Sequence, residues 1–220
     1  MIAVTGNEMK AIDNYCIEKL GIPGIVLMEN AALKVIKNID LDKFNSFTII
    51  CGVGNNGGDG LAVGRHLIVE GKDVSIFVIG NLNKASEDFS INYSILKNMK
   101  IEIKAIEDEE DLKDLIVCIK KSDMTIDSIF GTGLTRDVEG LYRDVIANIN
   151  EHSKYILSID IPSGIDSDTG KVLGICVKAD KTVTFQLMKK GLVDYENVIV
   201  ESIGMPKMAI EEVLQLTMDH

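Results

Sequence analysis

The sequence predicts a three-layer α/β sandwich built on a mainly parallel sheet, and three observations lead there. From residue 47 onward short β-branched runs alternate with helical stretches, the pattern of a parallel sheet covered on both faces. A glycine cluster, Cys51-Gly52-Val53-Gly54-Asn55-Asn56-Gly57-Gly58-Asp59-Gly60, follows one such run and opens into a helix. Open α/β folds hold their ligands at that carboxyl edge. Finally, no internal repeat, low-complexity segment or Pro/Ser-rich linker divides the chain, so residues 1–220 read as one domain.

Thr5 and Glu8 match a capping box, starting a helix to about Leu20 with an apolar stripe of Met9, Ile12, Cys16, Ile17 and Leu20. Gly21-Ile22-Pro23-Gly24 breaks the chain, and a second helix follows from about Ile25 to Ile39. Glu29 and Asn30, set beside small residues, serve either a helix crossing or a pocket mouth or subunit contact. Next come strand 47–51, a helix from about Asp59, strand 73–79, helix 84–98, strand 101–106 and helix 109–121. Strand 124–130, helix 140–150 and strands 155–160, 181–186 and 197–203 complete the order. With right-handed crossovers this is a Rossmann-like sandwich carrying two extra N-terminal helices. The run Glu107 to Asp111 is the solvated first turn of a helix, where acids suit the dipole.

A net charge of −11 and a pI near 4.8 argue against nucleic-acid or anionic-membrane partners. Local cations such as Arg136, Lys189 or Lys190 still allow an anionic small molecule. The amino terminus carries no signal-peptide pattern and no apolar stretch reaches bilayer length. Cys16, Cys51, Cys118 and Cys176 form no C-x-x-C pair and read as reduced thiols, so a cytoplasmic protein is expected. Cys51 adjoins the glycine loop but has no evident His to activate it. His66, His152 and His220 read as surface positions.

Two common phosphate fingerprints fail on the glycine loop. Gly52, Gly54 and Gly57 fit G-x-G-x-x-G, but the next strand ends in Gly80-Asn81, where a dinucleotide-binding unit places an acid. That weakens an NAD-dependent dehydrogenase. Asp59 stands where a Walker loop carries Lys, and a carboxylate there repels phosphate. Two more loops follow strands: Gly131-Thr132-Gly133-Leu134-Thr135-Arg136, a phosphate cradle with hydroxyl donors and a guanidinium, and Asp160-Ile161-Pro162-Ser163-Gly164. All three are expected to share one crevice.

Asp127 lies in an apolar strand and needs partners, because a buried unpaired charge is costly. With Asn56 and Ser163 it makes either a hard-cation ligand set or a purely hydrogen-bonded cluster. Asp160, ending a strand just before Pro162, is the candidate for proton transfer, partial burial raising its pKa; the alternative is an Asx turn. Asp166 and Asp168 read as turn residues. Lys189 and Lys190 form either a phosphate support or a solvated basic turn.

Four segments, in order, carry a resemblance: Met28 to Ala32 (MENAA), the GNNGGDG loop with Arg65-His66, Asp127 to Gly140, and Ser158 to Gly170. Together they resemble the YjeF N-terminal domain family of NAD(P)H-hydrate (NAD(P)HX) epimerases, over nearly the whole chain. The resemblance implies substrate contacts by Asn55, Asn56, Gly57, Gly58 and Asp59, by Gly131, Thr132, Gly133, Leu134, Thr135, Arg136 and Asp137, and by Asp160. It implies one K+ per subunit on Asn56, Asp127 and Ser163. The implied reaction interconverts the R and S forms of NADHX or NADPHX at C6 of the nicotinamide ring. Asp160 would protonate the departing hydroxyl and then activate the returning water, through an iminium or a ring-opened aldehyde. A non-catalytic ligand-binding or scaffold module of the same fold is the alternative. A homodimer and a separate NAD(P)HX dehydratase in the same cell are the expected partners.

Overall fold

The structure is a computed structural model that describes residues 2–216. The chain runs through β1 (Ala3–Val4), α1 (Gly6–Asn14), α2 (Gly24–Lys37), β2 (Ser46–Cys51), α3 (Asn55–Val69), β3 (Asp73–Ile79) and α4 (Glu87–Asn98). Next are β4 (Ile103–Ile106), α5 (Asp111–Lys121), β5 (Met124–Ser128), α6 (Gly140–His152) and β6 (Ile156–Ile159). The remainder holds β7 (Lys181–Phe185), β8 (Met188–Lys189), β9 (Val198–Glu201) and α7 (Lys207–Leu214).

Seven strands form one parallel sheet in the order β4-β3-β2-β5-β6-β7-β9. Strand periodicity assigns the two cores: Phe47, Ile49 and Cys51 of β2 face one, and Ile50 faces the other. Helices α1, α2, α3, α4 and α7 cover the first face, while α5 and α6 cover the second. The chain winds outward from β2 to β4, then returns to β5 on the other flank of β2. Loops after β2 and β5 therefore diverge, which opens a crevice between them.

Several boundaries differ from expectation, each for a physical reason. Helix α3 starts at Asn55 rather than near Asp59, so the glycine loop is mostly the helix's own first turns. A Cβ on Gly57 would lie 1.7 Å from the Gly52 carbonyl oxygen, and one on Gly60 would lie 1.9 Å from Ser128 Oγ. These glycines let a helix sit directly against the ends of β2 and β5, which outweighs their poor helix propensity. Helix α1 has the expected capping box, Thr5 N–H donating to Glu8 Oε2 at 2.7 Å and Glu8 N–H to Thr5 Oγ1 at 3.1 Å. It continues as a π-helical turn over Tyr15–Lys19, which rotates the stripe. Met9, Ile12 and Cys16 are buried as expected, but Ile17 is exposed. The two-residue pair β1:β8 and helix α7 are absent from the sequence reading. Among the described residues no helix is long and apolar enough to cross a membrane.

Candidate active site

A cavity of about 950 Å³ lies at the carboxyl edge of β2, β5 and β6, closed on one side by α1. Asn55, Asn56 and Asp59 of α3 line it, as do Gly131, Thr132, Gly133, Leu134, Thr135, Arg136 and Asp160. The three loops do converge on one crevice. Gly57 and Gly58 are instead turned into the protein, Gly58 against Met28 and Phe89. Asp137 is exposed and outside the cavity lining. Asp127 and Ser163 lie beneath the floor, completely buried.

Asp160 has the most unusual backbone in the site. Its φ is +64°, in the left-handed region that costs a non-glycine residue about 1–2 kcal/mol. The side chain is 15% exposed, and its Oδ1 accepts from Lys189 Nζ at 2.6 Å and from Thr184 Oγ1 at 3.0 Å. Its Oδ2 accepts no hydrogen bond among the described residues. Lys189 is only 1% exposed and also donates to Thr184 Oγ1 and to the Phe185 carbonyl, both at 2.9 Å. Neither the phosphate support nor the solvated turn expected of Lys189 is what the geometry gives; its ammonium is a buried counter-ion to Asp160. Lys190 alone reaches the surface, 3.3 Å from Glu8. The β1:β8 pair fixes Lys189 in place, and so short a pair leaves no periodic signal in sequence.

Asp127 has a closed environment. Its carboxylate accepts from Ser158 Oγ at 2.7 Å, Ser163 N–H at 2.9 Å, Ser163 Oγ at 2.5 Å and Ile129 N–H at 3.3 Å. Burial pushes its carboxyl above the usual range, and these donors pull it back. Ser163 Oγ in turn accepts from Phe130 N–H at 2.9 Å, and Asn56 Nδ2 donates to the Phe130 carbonyl at 2.9 Å. Asn56, Ser163 and Asp127 therefore form one connected oxygen-rich cluster. Asn56 Oδ1 is buried with no donor among the described residues, an acceptor that a cation would satisfy.

Asp13, on the last turn of α1, lines the same cavity and was missed in the sequence, where it reads as an ordinary polar helix position. Burial and the charge of Asp160 raise its carboxyl to about 6, with Lys189 opposing. Asp59 is raised well above the carboxylate range, by burial first and then by Asp160, Asp13 and Asp88. The cavity thus gathers four carboxyl groups, those of Asp13, Asp59, Asp88 and Asp160, around one buried ammonium. Such an arrangement holds an acid and a base side by side.

Other candidates fall outside this site. Glu29 pairs with Arg65 and with His66, the latter at 2.8 Å, and Asn30 donates to the Ile203 carbonyl at 2.8 Å. Neither lines the cavity, which corrects the pocket-mouth expectation. Asp166 does stabilise its own turn, whereas Asp168 accepts from the Gly6 N–H at 2.7 Å and anchors the start of α1. Burial pushes the Cys51 thiol up to about 12, leaving it inert. His152 is half-buried rather than at the surface, and His220 lies outside the described residues.

Fold and site together define a doubly wound α/β domain with a small-molecule cavity at its topological switch point. The family model for the YjeF-related protein N-terminus matches residues 24–191, and the chain belongs to that family. A protein from Anaerococcus prevotii named NAD(P)H-hydrate epimerase is 44% identical, over 97% of this chain and 100% of its own length. One of that name from Limosilactobacillus fermentum is 42% identical over 87% of this chain and 88% of its own. A bifunctional NAD(P)H-hydrate repair enzyme from Thermofilum pendens is 38% identical over 94% of this chain, which spans 41% of that protein. The crystal structure of yeast ynu0 superposes with a TM-score of 0.80 over 97% of this chain and 93% of that one, at 21% identity, a likeness of fold.

Proposed function

We propose that the chain is an NAD(P)H-hydrate epimerase, interconverting the R and S forms of hydrated NADH and NADPH at C6 of the nicotinamide ring as metabolite repair. The end-to-end likeness to the Anaerococcus prevotii epimerase carries this reading. The site's chemistry agrees with it. At C6 a hydroxyl sits beside a ring nitrogen whose lone pair can expel it, leaving a planar iminium. Water returning to the other face inverts the centre. Asp160, ion-paired to Lys189 through Oδ1, keeps Oδ2 free to balance the iminium charge and take the proton of the returning water. The departing hydroxyl needs a proton of its own. General acid–base help of about 10²–10⁴-fold, added to positioning, suffices for a centre that also epimerises unaided.

Asn55, Asn56, Asp59 and the loop Gly131 to Arg136 supply the substrate contacts in this reading, with Arg136 set to grip phosphate. Potassium, implied by the family resemblance, fits the oxygen-only set of Asn56, Asp127 and Ser163. When bound it supplies a positive charge opposite Asp127. Melting curves in KCl against tetramethylammonium chloride test the ion separately from turnover: a higher Tm in KCl is expected, and equal values contradict it. The working form we infer is a cytoplasmic homodimer alongside a separate dehydratase.

The deciding experiment incubates purified R-NADHX with the protein and an S-specific dehydratase. Consumption of the whole R pool at a rate proportional to protein concentration is expected. Consumption at the spontaneous rate contradicts the reading.

A further inference from the structure

We propose that Asp13 is a second acid–base group of this reaction, delivering the proton to the departing C6 hydroxyl while Asp160 serves the incoming water. The inference rests on the epimerase reading above and deepens it.

Geometry separates the two carboxyls by the walls they come from. Asp160 reaches the cavity from the end of β6, and Asp13 reaches it from α1. Lys189 directs its hydrogen bonds to Asp160, Thr184 and Phe185. Asp13 has neither a hydrogen-bond donor nor an ion pair among the described residues. The helix switches to π-helical hydrogen bonding directly afterwards, at Tyr15–Lys19; Asp13, Asn14 and Ile17 line the cavity and Cys16 is fully buried. Single π turns of this kind recur at functional sites.

The charged and titratable surroundings of Asp13 are few. Asp160 and Lys189 face it from the sheet edge, Asp59 from α3, and Lys10 and Cys16 from its own helix, with Asp88 of α4 and Arg136 lining the same cavity. On the packed α7, Lys207 is occupied with Glu211 at 2.9 Å. Asp59 is the alternative donor. Its carboxyl is buried, without a hydrogen-bond partner among the described residues, and raised well above the carboxylate range. Asp13 is the better placed of the two, being only half-buried and so within reach of the solvent that resupplies its proton, whereas Asp59 is buried.

In the R-to-S direction the C6–O bond breaks with its electron pair on oxygen, which takes the Asp13 proton and leaves as water. The N1 lone pair becomes the second bond of the iminium. Water then adds to the other face, the C6=N1 pair returns to N1, and the surplus proton passes to Asp160. The S-to-R direction runs the same steps with the two carboxyls exchanged.

The test compares wild type with Asp13→Asn and Asp13→Glu in pH profiles of R-to-S conversion. Wild-type kcat/KM is expected to fall as pH rises through about 6. Asp13→Asn is expected to lose about 10²-fold or more in kcat with KM within about threefold, and to lose that limb. Asp13→Glu restores the limb at reduced rate. Carbon-13 NMR of aspartate carboxyl groups supplies a readout independent of turnover. One resonance titrating near pH 6 is expected in wild type, with a lower midpoint in Asp160→Asn, and this holds whether or not Asp13→Asn folds. An active wild type whose rate and limb survive in Asp13→Asn overturns the role of Asp13 alone, as does the absence of that resonance. A wild type that does not accelerate epimerisation overturns the epimerase reading, and Asp13's role with it.

Discussion

Asp127 and Asp160 sit at the ends of neighbouring strands, both after apolar runs, yet the fold treats them in opposite ways. Asp127 is fully buried and accepts from four donors, with ordinary backbone geometry. Asp160 holds a left-handed backbone, concentrates its partners on one oxygen and leaves the other facing the cavity. A carboxylate that accepts on both oxygens from several loops ties those loops together. One kept half-satisfied beside a buried ammonium has capacity left for a ligand. The strained backbone and the unmet hydrogen bond set Asp160 apart from Asp127, and they are the features on which its proposed role rests.

The largest effect tests the ion pair. Lys189→Ala is expected to cost about 3–5 kcal/mol, because it strands Asp160 without its counter-ion. Adding Asp160→Asn should recover a good part of that loss, as urea unfolding of both variants can check. Asp127→Ala should cost about 3 kcal/mol by leaving Ser163 N–H and two hydroxyls unpaired in the interior. If Asp127→Ala proved as mild as a surface change, the contrast between a structural and a reacting carboxylate would collapse.

Asp13 predicts a pH dependence with a definite sign. Its carboxyl rises from 3.8 to about 6 on folding. Between those values the native chain keeps a proton that the unfolded chain has released. The group's contribution to stability is therefore full below about pH 4 and lost as pH rises through about 6. Asp13→Asn should be more stable than wild type at pH 7, by at most about 3 kcal/mol, with the difference gone near pH 4. Denaturant midpoints at the two pH values read this directly. The smallest expected effects are a matched pair. Ser158→Ala and Thr184→Val each remove one hydroxyl donor, at about 1 kcal/mol apiece, but only Thr184→Val should also alter turnover.

Much of this was legible in the sequence because strand and helix periodicity reports on buried faces. Parallel strands buried on both sides, the capping box at Thr5 and the convergence of loops after β2, β5 and β6 all follow from local pattern plus topology. Lys189 and Asp13 were not legible as site residues. Lys189 owes its burial to a partner 29 residues away and to a two-residue strand pair, neither of which leaves a periodic trace. Asp13 becomes special through what α1 packs against, and a polar residue on an amphipathic helix carries no sign of that. A signal for Lys189 did exist: a buried Asp160 required a cation, and Lys189 follows the next strand of the sheet. The start of α3 differs from expectation because glycines read as a loop, when here they permit a helix to pack closely against the ends of β2 and β5.

The most direct test follows equilibration of pure R-NADHX at pH 7 with wild type and with Asp160→Asn, after circular dichroism establishes that both are folded. Wild type should bring the two epimers to equilibrium far faster than buffer, and Asp160→Asn should lose at least about 10²-fold of that acceleration. Equal rates for the two proteins would contradict the account.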